Sequence, residues 1–278
     1  MMETDRVRTA VRVGYGKIAK GEGSCCGQRA SCGGGEALGA DDIGRQIGYS
    51  EEDLKDVPEG ANLGLGCGNP IALASLGEGE TVLDLGSGAG FDCFLAAERV
   101  GPTGHVIGVD MTPEMIDRAR QNAKAGGYEQ VAFRLGEIEH LPVADASVDV
   151  VISNCVINLS TDKPAVFREA YRVLRPGGRL MVSDIVLNRE LPESIRQSVE
   201  AYIGCLSGAI LKDDYISEMK RSGFKKVGIT DVATFPVKLM ANDPTARALV
   251  DEAGIDPEDV KDLDQAVLSA KLSGIKEA

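Results

Sequence analysis

Three of the seven cysteines lie in similar short segments that also contain glycine or asparagine. Cys67 lies in GLGCGNP, Cys155 in SNCVINLS and Cys205 in AYIGCLSG. The separations, 88 residues from position 67 to 155 and 50 from 155 to 205, are too long for a local metal-binding knuckle. If these thiols act together, the fold must bring them together. Thiolates bind soft, thiophilic centres in preference to hard cations that favour oxygen.

The other four cysteines have different surroundings. Cys93 lies in FDCFLAAE, a helical pattern, where it is interpreted as a small buried hydrophobic residue. Cys25, Cys26 and Cys32 lie in a loop rich in glycine and serine. The chain has only two histidines and no CxxC pair, so it lacks the ligand spacing of a zinc ribbon or finger. A disulfide framework is typical of small secreted domains, so we expect mostly reduced thiols.

Composition excludes several classes of protein. The chain of 278 residues has 43 acidic and 30 basic residues, a net charge of −13, and no tryptophan. Nucleic-acid-binding proteins need a cationic face and often stacking rings, so we expect no nucleic-acid partner. No stretch approaches the roughly 18 consecutive apolar residues of a membrane span. The N-terminal residues scatter charges where a signal peptide needs an apolar run, so we expect a cytoplasmic protein with no membrane partner.

Short apolar runs alternate with longer amphipathic segments from Thr81 onward. This alternation predicts a parallel sheet covered by helices on both faces. An amphipathic helix is predicted over residues 3–19, and Ser50 is predicted to cap a short acidic helix. Near the C-terminus, KKVGITDVA and FPVKLM predict an antiparallel strand pair, and the charged tail from Asn242 is predicted to be helical.

The stretch VLDLGSGAGF predicts a ligand-binding loop at the carboxyl edge of the sheet. Gly86, Gly88 and Gly90 follow a strand and precede a helix, and Asp84 lies two residues ahead of them. Small residues let the backbone approach a ligand closely. A dinucleotide fingerprint would require GxGxxG, but the position of its third glycine is Phe91. This residue disfavours an NAD-linked oxidoreductase.

Further candidate ligand contacts follow the next strands. Asp110 ends the second strand, 20 residues after the last loop glycine, where a carboxylate can accept both ribose hydroxyls. Met111 is predicted to pack on an adenine face, and Glu137 and Ile138 to line the adenine. Asn154 ends the fourth strand. The carboxylate alone identifies a nucleoside without saying which one.

Taken together, these positions resemble the S-adenosylmethionine site of the class I methyltransferases over residues 81–187. In such a sheet the strand ending at Asn154 points toward the sulfonium end of the cofactor, so Cys155 would lie where the methyl acceptor must be.

Three thiols without histidine suit trivalent arsenic, which forms three bonds and keeps a lone pair. At this point the chain resembles the arsenite methyltransferases over most of residues 8–240: the three cysteine segments match, as does GYGKIA upstream of the CC pair.

The resemblance implies a ligand set and a mechanism. Cys155 and Cys205 would hold arsenic, Cys67 would be the third ligand, and one N-terminal cysteine would cooperate with Cys67. Of the three candidates in the N-terminal loop, we favour the adjacent pair, Cys25 and Cys26. The arsenic lone pair would attack the sulfonium methyl group, and a thiol reductant such as thioredoxin or glutathione would restore the loop thiols. The implied role is arsenic detoxification.

We therefore expect an α/β fold: a Rossmann-like, doubly wound class I methyltransferase sheet with an N-terminal Cys-rich lid and a C-terminal extension. The expected segments are an N-terminal helix with a Cys-rich substrate-binding segment (1–75), an S-adenosylmethionine-binding core (76–187) and a C-terminal closing region with a charged tail (188–278). Two alternatives remain. One is a methyltransferase acting on carbon or oxygen of a small organic acceptor such as a quinone precursor. The other is a non-catalytic, thiol-based metalloid-binding protein.

Overall fold

The structure is a computed structural model. It describes residues 4–21, 39–70, 75–191, 206, 208–235 and 266–278. Four cysteines named above, Cys25, Cys26, Cys32 and Cys205, lie outside these residues. The predicted Cys-rich lid therefore also lies outside them.

Within the described residues, the helices and strands occur in the following order, and a 3₁₀ turn lies at Ile157–Leu159. The helices are α1 (Thr4–Lys20), α2 (Ala40–Gln46), α3 (Glu51–Lys55), α4 (Phe91–Val100), α5 (Pro113–Gly126), α6 (Lys163–Val173) and α7 (Lys212–Arg221). The strands are β1 (Thr81–Leu85), β2 (His105–Asp110), β3 (Val131–Leu135), β4 (Val148–Asn154), β5 (Leu174–Leu187), β6 (Lys225–Thr234) and β7 (Val267–Ile275).

A single sheet of seven strands, in the order β3-β2-β1-β4-β5-β7-β6, organises the described residues. Strands β1 to β5 pair in parallel, and β7 lies antiparallel between β5 and β6. The strand order reverses between β1 and β4, and ligands of open α/β sheets bind outside the carboxyl ends of strands at such a switch point. The predicted doubly wound α/β fold is confirmed.

The central strands are buried on both faces of the sheet. On β1, Val82 belongs to the same apolar cluster as Phe94 of α4, whereas its neighbour Leu83 belongs to a separate cluster with Phe167 of α6. All four of these side chains are fully buried. Because successive side chains of a strand point to opposite faces, a strand covered on both sides needs apolar residues at nearly every position. This explains the continuous apolar runs seen in the sequence.

The N-terminal helices follow the sequence expectations. Helix α1 covers the predicted amphipathic segment, with Val7 and Val11 buried. Helix α3 begins after Ser50, whose hydroxyl accepts a hydrogen bond from the backbone N–H of Asp53, as predicted for a capping residue.

The prediction of a helical tail is wrong for residues 267–275. These residues form β7, which pairs antiparallel with both β5 and β6. The predicted pairing of the FPVKLM segment with β6 stays a prediction. Residues 236–240 of that segment lie outside the described residues. In VLSAKLSGI the buried positions include Val267, Ala270 and Leu272, and an apolar face against the core outweighs the charged character of the tail as a whole.

None of the helices in the described part of the chain is long and apolar enough to cross a membrane.

Candidate functional site

The glycine loop after β1 has the backbone geometry of a ligand cradle. Gly86 and Gly90 have φ values of 67° and 97°, in the left-handed region that favours glycine. A Cβ atom at Gly86 would overlap Val156, and one at Gly90 would lie 2.8 Å from the rings of Phe133 and Phe94. At Gly88, by contrast, no described atom lies within 4 Å of such a Cβ. The loop is packed tightly on its inner side, and at Gly88 the described residues leave space on its outer side.

Asp110, at the end of β2, holds this loop in place. Its carboxylate accepts hydrogen bonds from the backbone N–H of Gly88, at 3.0 Å, and from that of Thr112, at 2.8 Å. Burial raises the pKa of Asp110, and the two backbone donors oppose that rise. The carboxylate therefore lies directly beside the open side of the loop, at the carboxyl end of the neighbouring strand.

Asp84 points into the interior of the protein. Its side chain is buried, and the Cys93 thiol donates a hydrogen bond to its Oδ2 at 3.3 Å. Burial, with a further contribution from the charge of Asp92, raises the pKa of Asp84 well above its ordinary value. These contacts tie β1 to α4, and Cys93 is fully buried, in keeping with its interpretation as a structural residue.

Asn154 is the centre of a polar network that joins the N-terminal segment to the sheet. Its Nδ2 lies 2.9 Å from Tyr49 Oη, 2.8 Å from the Gly68 carbonyl oxygen and 3.1 Å from Asp92 Oδ2. Its Oδ1 accepts the backbone N–H of Cys67 at 3.1 Å. One side chain at the end of β4 therefore fixes the backbone on both sides of the Cys67–Gly68 peptide bond.

Tyr49 and Asp92 complete this network, and sequence reasoning missed both. The Tyr49 hydroxyl donates to Asp92 Oδ1 at 2.6 Å. Burial raises the pKa of Asp92 to about 6, while hydrogen bonds from Tyr49 and Asn154 lower it. Asp92 follows the glycine loop directly in the sequence, which was the available signal for its position.

The fold brings Cys67 and Cys155 together across 88 residues of chain. Their Sγ atoms and a carboxylate oxygen of Asp184 all lie within 4.8 Å of one another. Cys67 is 3% exposed, Cys155 is half-buried and Asp184 is fully buried. Cys155 has a φ of +57°, and its backbone N–H donates to the Ser183 carbonyl at 2.8 Å. A left-handed conformation is uncommon for a residue with a side chain, and such strain persists only where the surrounding structure holds it.

Asp184, on β5, was not predicted from the sequence. Its Oδ1 accepts hydrogen bonds from Asn158 Nδ2 and the Ile185 N–H, both at 2.9 Å, and its Oδ2 accepts one from the Tyr215 hydroxyl at 3.1 Å. Burial raises the pKa of Asp184 to about 7, and these donors together with the charge of Lys163 oppose that rise. A carboxylate is therefore held in a defined orientation beside two thiols.

The three predicted adenine contacts lie in different surroundings. Met111 is partly buried and packs against the apolar cluster that contains Cys67. Ile138 belongs to the main core and is 8% exposed. The Glu137 carboxylate lies 3.5 Å from the guanidinium groups of Arg8 and Arg12, both on α1. These ion pairs hold α1 against the loop after β3.

Two features define the class of the protein as a Rossmann-like methyltransferase. One is the strand order, with the antiparallel strand β7 beside β5, and the other is the glycine loop at the switch point. Consistent with this, a family model described as "Methyltransferase domain" matches residues 76–223. That span covers the sheet from β1 through β5 and continues through α7.

Similar proteins identify the family within the methyltransferases to which the chain belongs. An arsenite methyltransferase of Halobacterium salinarum is 53% identical over 214 residues, which are 77% of this chain and 52% of the relative. The human arsenite methyltransferase is 39% identical over 186 residues, 63% of this chain and 49% of the relative. The crystal structure of an arsenic(III) S-adenosylmethionine methyltransferase from Chlamydomonas reinhardtii is similar with a TM-score of 0.63 and 33% identity, covering 85% of this chain and 73% of that one. The chain belongs to the arsenite methyltransferase family. It spans about half the length of the two curated relatives.

Proposed function

We propose that the chain is an S-adenosylmethionine-dependent enzyme that methylates trivalent arsenic, both arsenite and methylarsenite, held by cysteine thiolates. One observation carries the proposal: the sulfurs of Cys67 and Cys155 lie within 4.8 Å of each other at the carboxyl end of β4. Cys205 is assigned as the third arsenic ligand from the family resemblance. Soft thiolates suit this ion, and three of them leave its lone pair available for reaction.

The cofactor site is assigned to the other side of the switch point. The loop of Gly86, Gly88 and Gly90 would face the methionine end of the cofactor, because its backbone leaves space for a ligand at Gly88. Asp110 would accept the ribose hydroxyls, and Asn154 would lie between cofactor and substrate. Four further residues are assigned to the cofactor site: Asp84 below the loop, and Met111, Glu137 and Ile138 near the adenine.

The chemistry of this reaction asks mainly for proximity and orientation. The arsenic lone pair attacks the sulfonium methyl carbon, the carbon–sulfur bond breaks, and S-adenosylhomocysteine leaves with the bonding pair. No proton has to move in that step. The chain's contribution is to hold the arsenic in line with the methyl group, and the hydrogen bonds of Asn154 to the Cys67 segment serve this purpose.

Each methylation removes two electrons from arsenic, so repeated turnover requires a reductant. We assign this step to Cys67 with Cys25 or Cys26, which would form a disulfide and return two electrons to arsenic. A thioredoxin-type protein or glutathione would then reduce the disulfide.

The proposal divides the chain into three segments. Residues 1–75 form the helix and the Cys-rich substrate-binding segment, residues 76–187 bind the cofactor, and residues 188–278 close the substrate site. The proposed physiological role is arsenic detoxification.

The direct test is incubation of the reduced protein with arsenite, S-adenosylmethionine and glutathione, followed by speciation of the arsenic products. Methylated arsenic is the expected product, and one S-adenosylhomocysteine should form for each methyl group transferred. Cys93→Ser is a matched control, since Cys93 is a buried thiol outside the cluster and serine keeps a donor for Asp84. Methylation of small organic acceptors with none of arsenite would instead support a carbon or oxygen methyltransferase.

A further inference from the structure

The carboxylate of Asp184 has no part in the arsenic chemistry proposed above. Trivalent arsenic takes three thiolates, and the methyl transfer needs no base. Nevertheless, Asp184 is fully buried within 4.8 Å of the sulfurs of Cys67 and Cys155. A buried carboxylate is costly unless it is hydrogen-bonded, paired or bound to a metal. Two thiols and a carboxylate form the mixed ligand set that zinc accepts.

The spacing of these three ligands suits a small tetrahedral cation. With Zn–S of about 2.3 Å and Zn–O of about 2.0 to 2.2 Å, neighbouring ligand atoms around zinc lie about 3.6 to 3.8 Å apart. The three atoms in the structure lie within 4.8 Å of one another. Closing the set around an ion therefore requires shifts of about 1 Å or less, within reach of small side-chain rotations.

The surroundings of Asp184 resemble the outer shell of a metal site. Ligating carboxylates are themselves hydrogen-bonded, which fixes their orientation. Asn158 and the Ile185 N–H share Oδ1, and the Tyr215 hydroxyl bonds Oδ2. Asn158 and Tyr215 are both fully buried. The carboxylate is thus oriented before any ion arrives.

We propose that Cys67, Cys155 and Asp184 form a binding site for a thiophilic divalent cation, represented by zinc, which competes with arsenic for the two thiols. Binding forms two Zn–S bonds and one Zn–O bond. The two thiol protons, and any proton on the Asp184 carboxyl group, pass to solvent, and water or a further thiol fills the fourth position. The site lacks the short CxxC spacing of ribbons and fingers because the fold, and not a local knuckle, assembles its ligands.

The substitution Asp184→Asn should distinguish zinc binding from arsenite binding. The asparagine Oδ1 can still accept from Asn158 and Ile185, and its amide can donate to the Tyr215 oxygen, so the buried hydrogen bonds are kept. Because zinc loses a ligand and arsenic does not, zinc affinity should fall at least about tenfold while arsenite affinity changes less than about threefold. Asp149→Asn is the matched control, since it removes the same charge from β4 at a carboxylate paired with Arg175.

The measurement is zinc affinity of the reduced full chain by competition with a chromophoric chelator, repeated with arsenite as competitor. Cobalt(II) serves as the spectroscopic probe, because tetrahedral thiolate ligation gives intense visible and charge-transfer bands. Wild type and Asp149→Asn should bind zinc equally, and arsenite should displace it. Equal zinc affinity in Asp184→Asn and wild type, or zinc binding that arsenite leaves unchanged, would overturn the proposal. Thermal melting of each variant shows that it is folded.

This test is independent of methylation, because it uses neither S-adenosylmethionine nor product formation. A protein that binds zinc as described but makes no methylated arsenic would overturn the proposed function alone. A protein that methylates arsenite while its Asp184→Asn variant retains full zinc affinity would overturn the cation site alone.

Discussion

The two sides of the switch point are built in different ways. On the cofactor side, the glycine loop and Asp110 lie close together in the chain, and the backbone hydrogen bond from Gly88 to Asp110 joins them. On the substrate side, Cys67, Cys155 and Asp184 come from three distant segments. The first side depends on a short βαβ unit, whereas the second depends on contacts across the whole chain. Substitutions should therefore separate the two functions, except at Asn154, which hydrogen-bonds to the Cys67 segment and is also assigned to the cofactor site.

The largest effect is expected for Cys155→Ser. Methylation of both arsenite and methylarsenite should fall below detection, because serine is close in size but provides no soft ligand. Methylarsenite has two exchangeable positions, so Cys155 and Cys205 would serve every step and Cys67 mainly the first. The check is product formation from each substrate. Affinity for S-adenosylmethionine and the melting temperature should remain near those of wild type, and full activity on methylarsenite would remove Cys155 from the ligand set.

The converse change is Asp110→Ala on the cofactor side. Loss of two charge-assisted hydrogen bonds to the ribose, each worth about 1.5 to 3 kcal/mol, should weaken S-adenosylmethionine binding by at least about 100-fold. Arsenite binding should change little, since no thiol is altered. Calorimetry measures both affinities. Asp110→Asn, which keeps an acceptor for one backbone donor, controls for loosening of the loop, and a wild-type affinity in Asp110→Ala would exclude the ribose contact.

The difference between the two sides also explains what the sequence could predict. The sheet, the loop and Asp110 followed from local patterns, because a strand, a glycine turn and a helix in succession leave little choice of geometry. The sequence did not predict the roles of Asp184, Tyr49 and Asp92. Whether a polar side chain is buried depends on partners that are distant in the chain, and a local sequence pattern does not reveal those partners. Strand β7 was missed because the charged residues of the tail concealed a short alternating segment.

A smaller, kinetic effect is expected for the double variant Cys25→Ser with Cys26→Ser. A first methylation should proceed at nearly the wild-type rate, because Cys155 and Cys205 remain. Multiple turnover should slow by about tenfold or more if the partner thiol of Cys67 is lost. Single-turnover and steady-state rates distinguish the roles. Equal loss in both rates would make the pair direct ligands, and no loss in either would leave Cys32 or no loop thiol in that role.

The smallest effect concerns stability and pH. Burial raises the pKa of Asp184 to about 7, so between about pH 4 and 7 the folded state holds a proton that the unfolded state has released. The free energy of unfolding should therefore fall as pH rises through this window. Asp184→Asn should remove part of that fall, on the order of 2 kcal/mol between pH 5 and 8.

Urea unfolding at both pH values measures this effect, with Asp149→Asn as the control. Asp92, whose pKa burial raises to about 6, remains in each variant and should preserve a residual slope. A slope in Asp184→Asn identical to that of wild type would show that the Asp184 carboxylate titrates normally in the folded protein.

Thiols from distant segments are proposed to hold arsenic at the end of β4. Arsenic X-ray absorption of the arsenite complex tests this proposal most directly, because it counts sulfur and oxygen neighbours without requiring turnover. We expect three sulfur neighbours in the reduced wild-type protein and one sulfur replaced by oxygen in Cys155→Ser. Arsenic surrounded by oxygen in the wild type, or an unchanged sulfur count in Cys155→Ser, would contradict it.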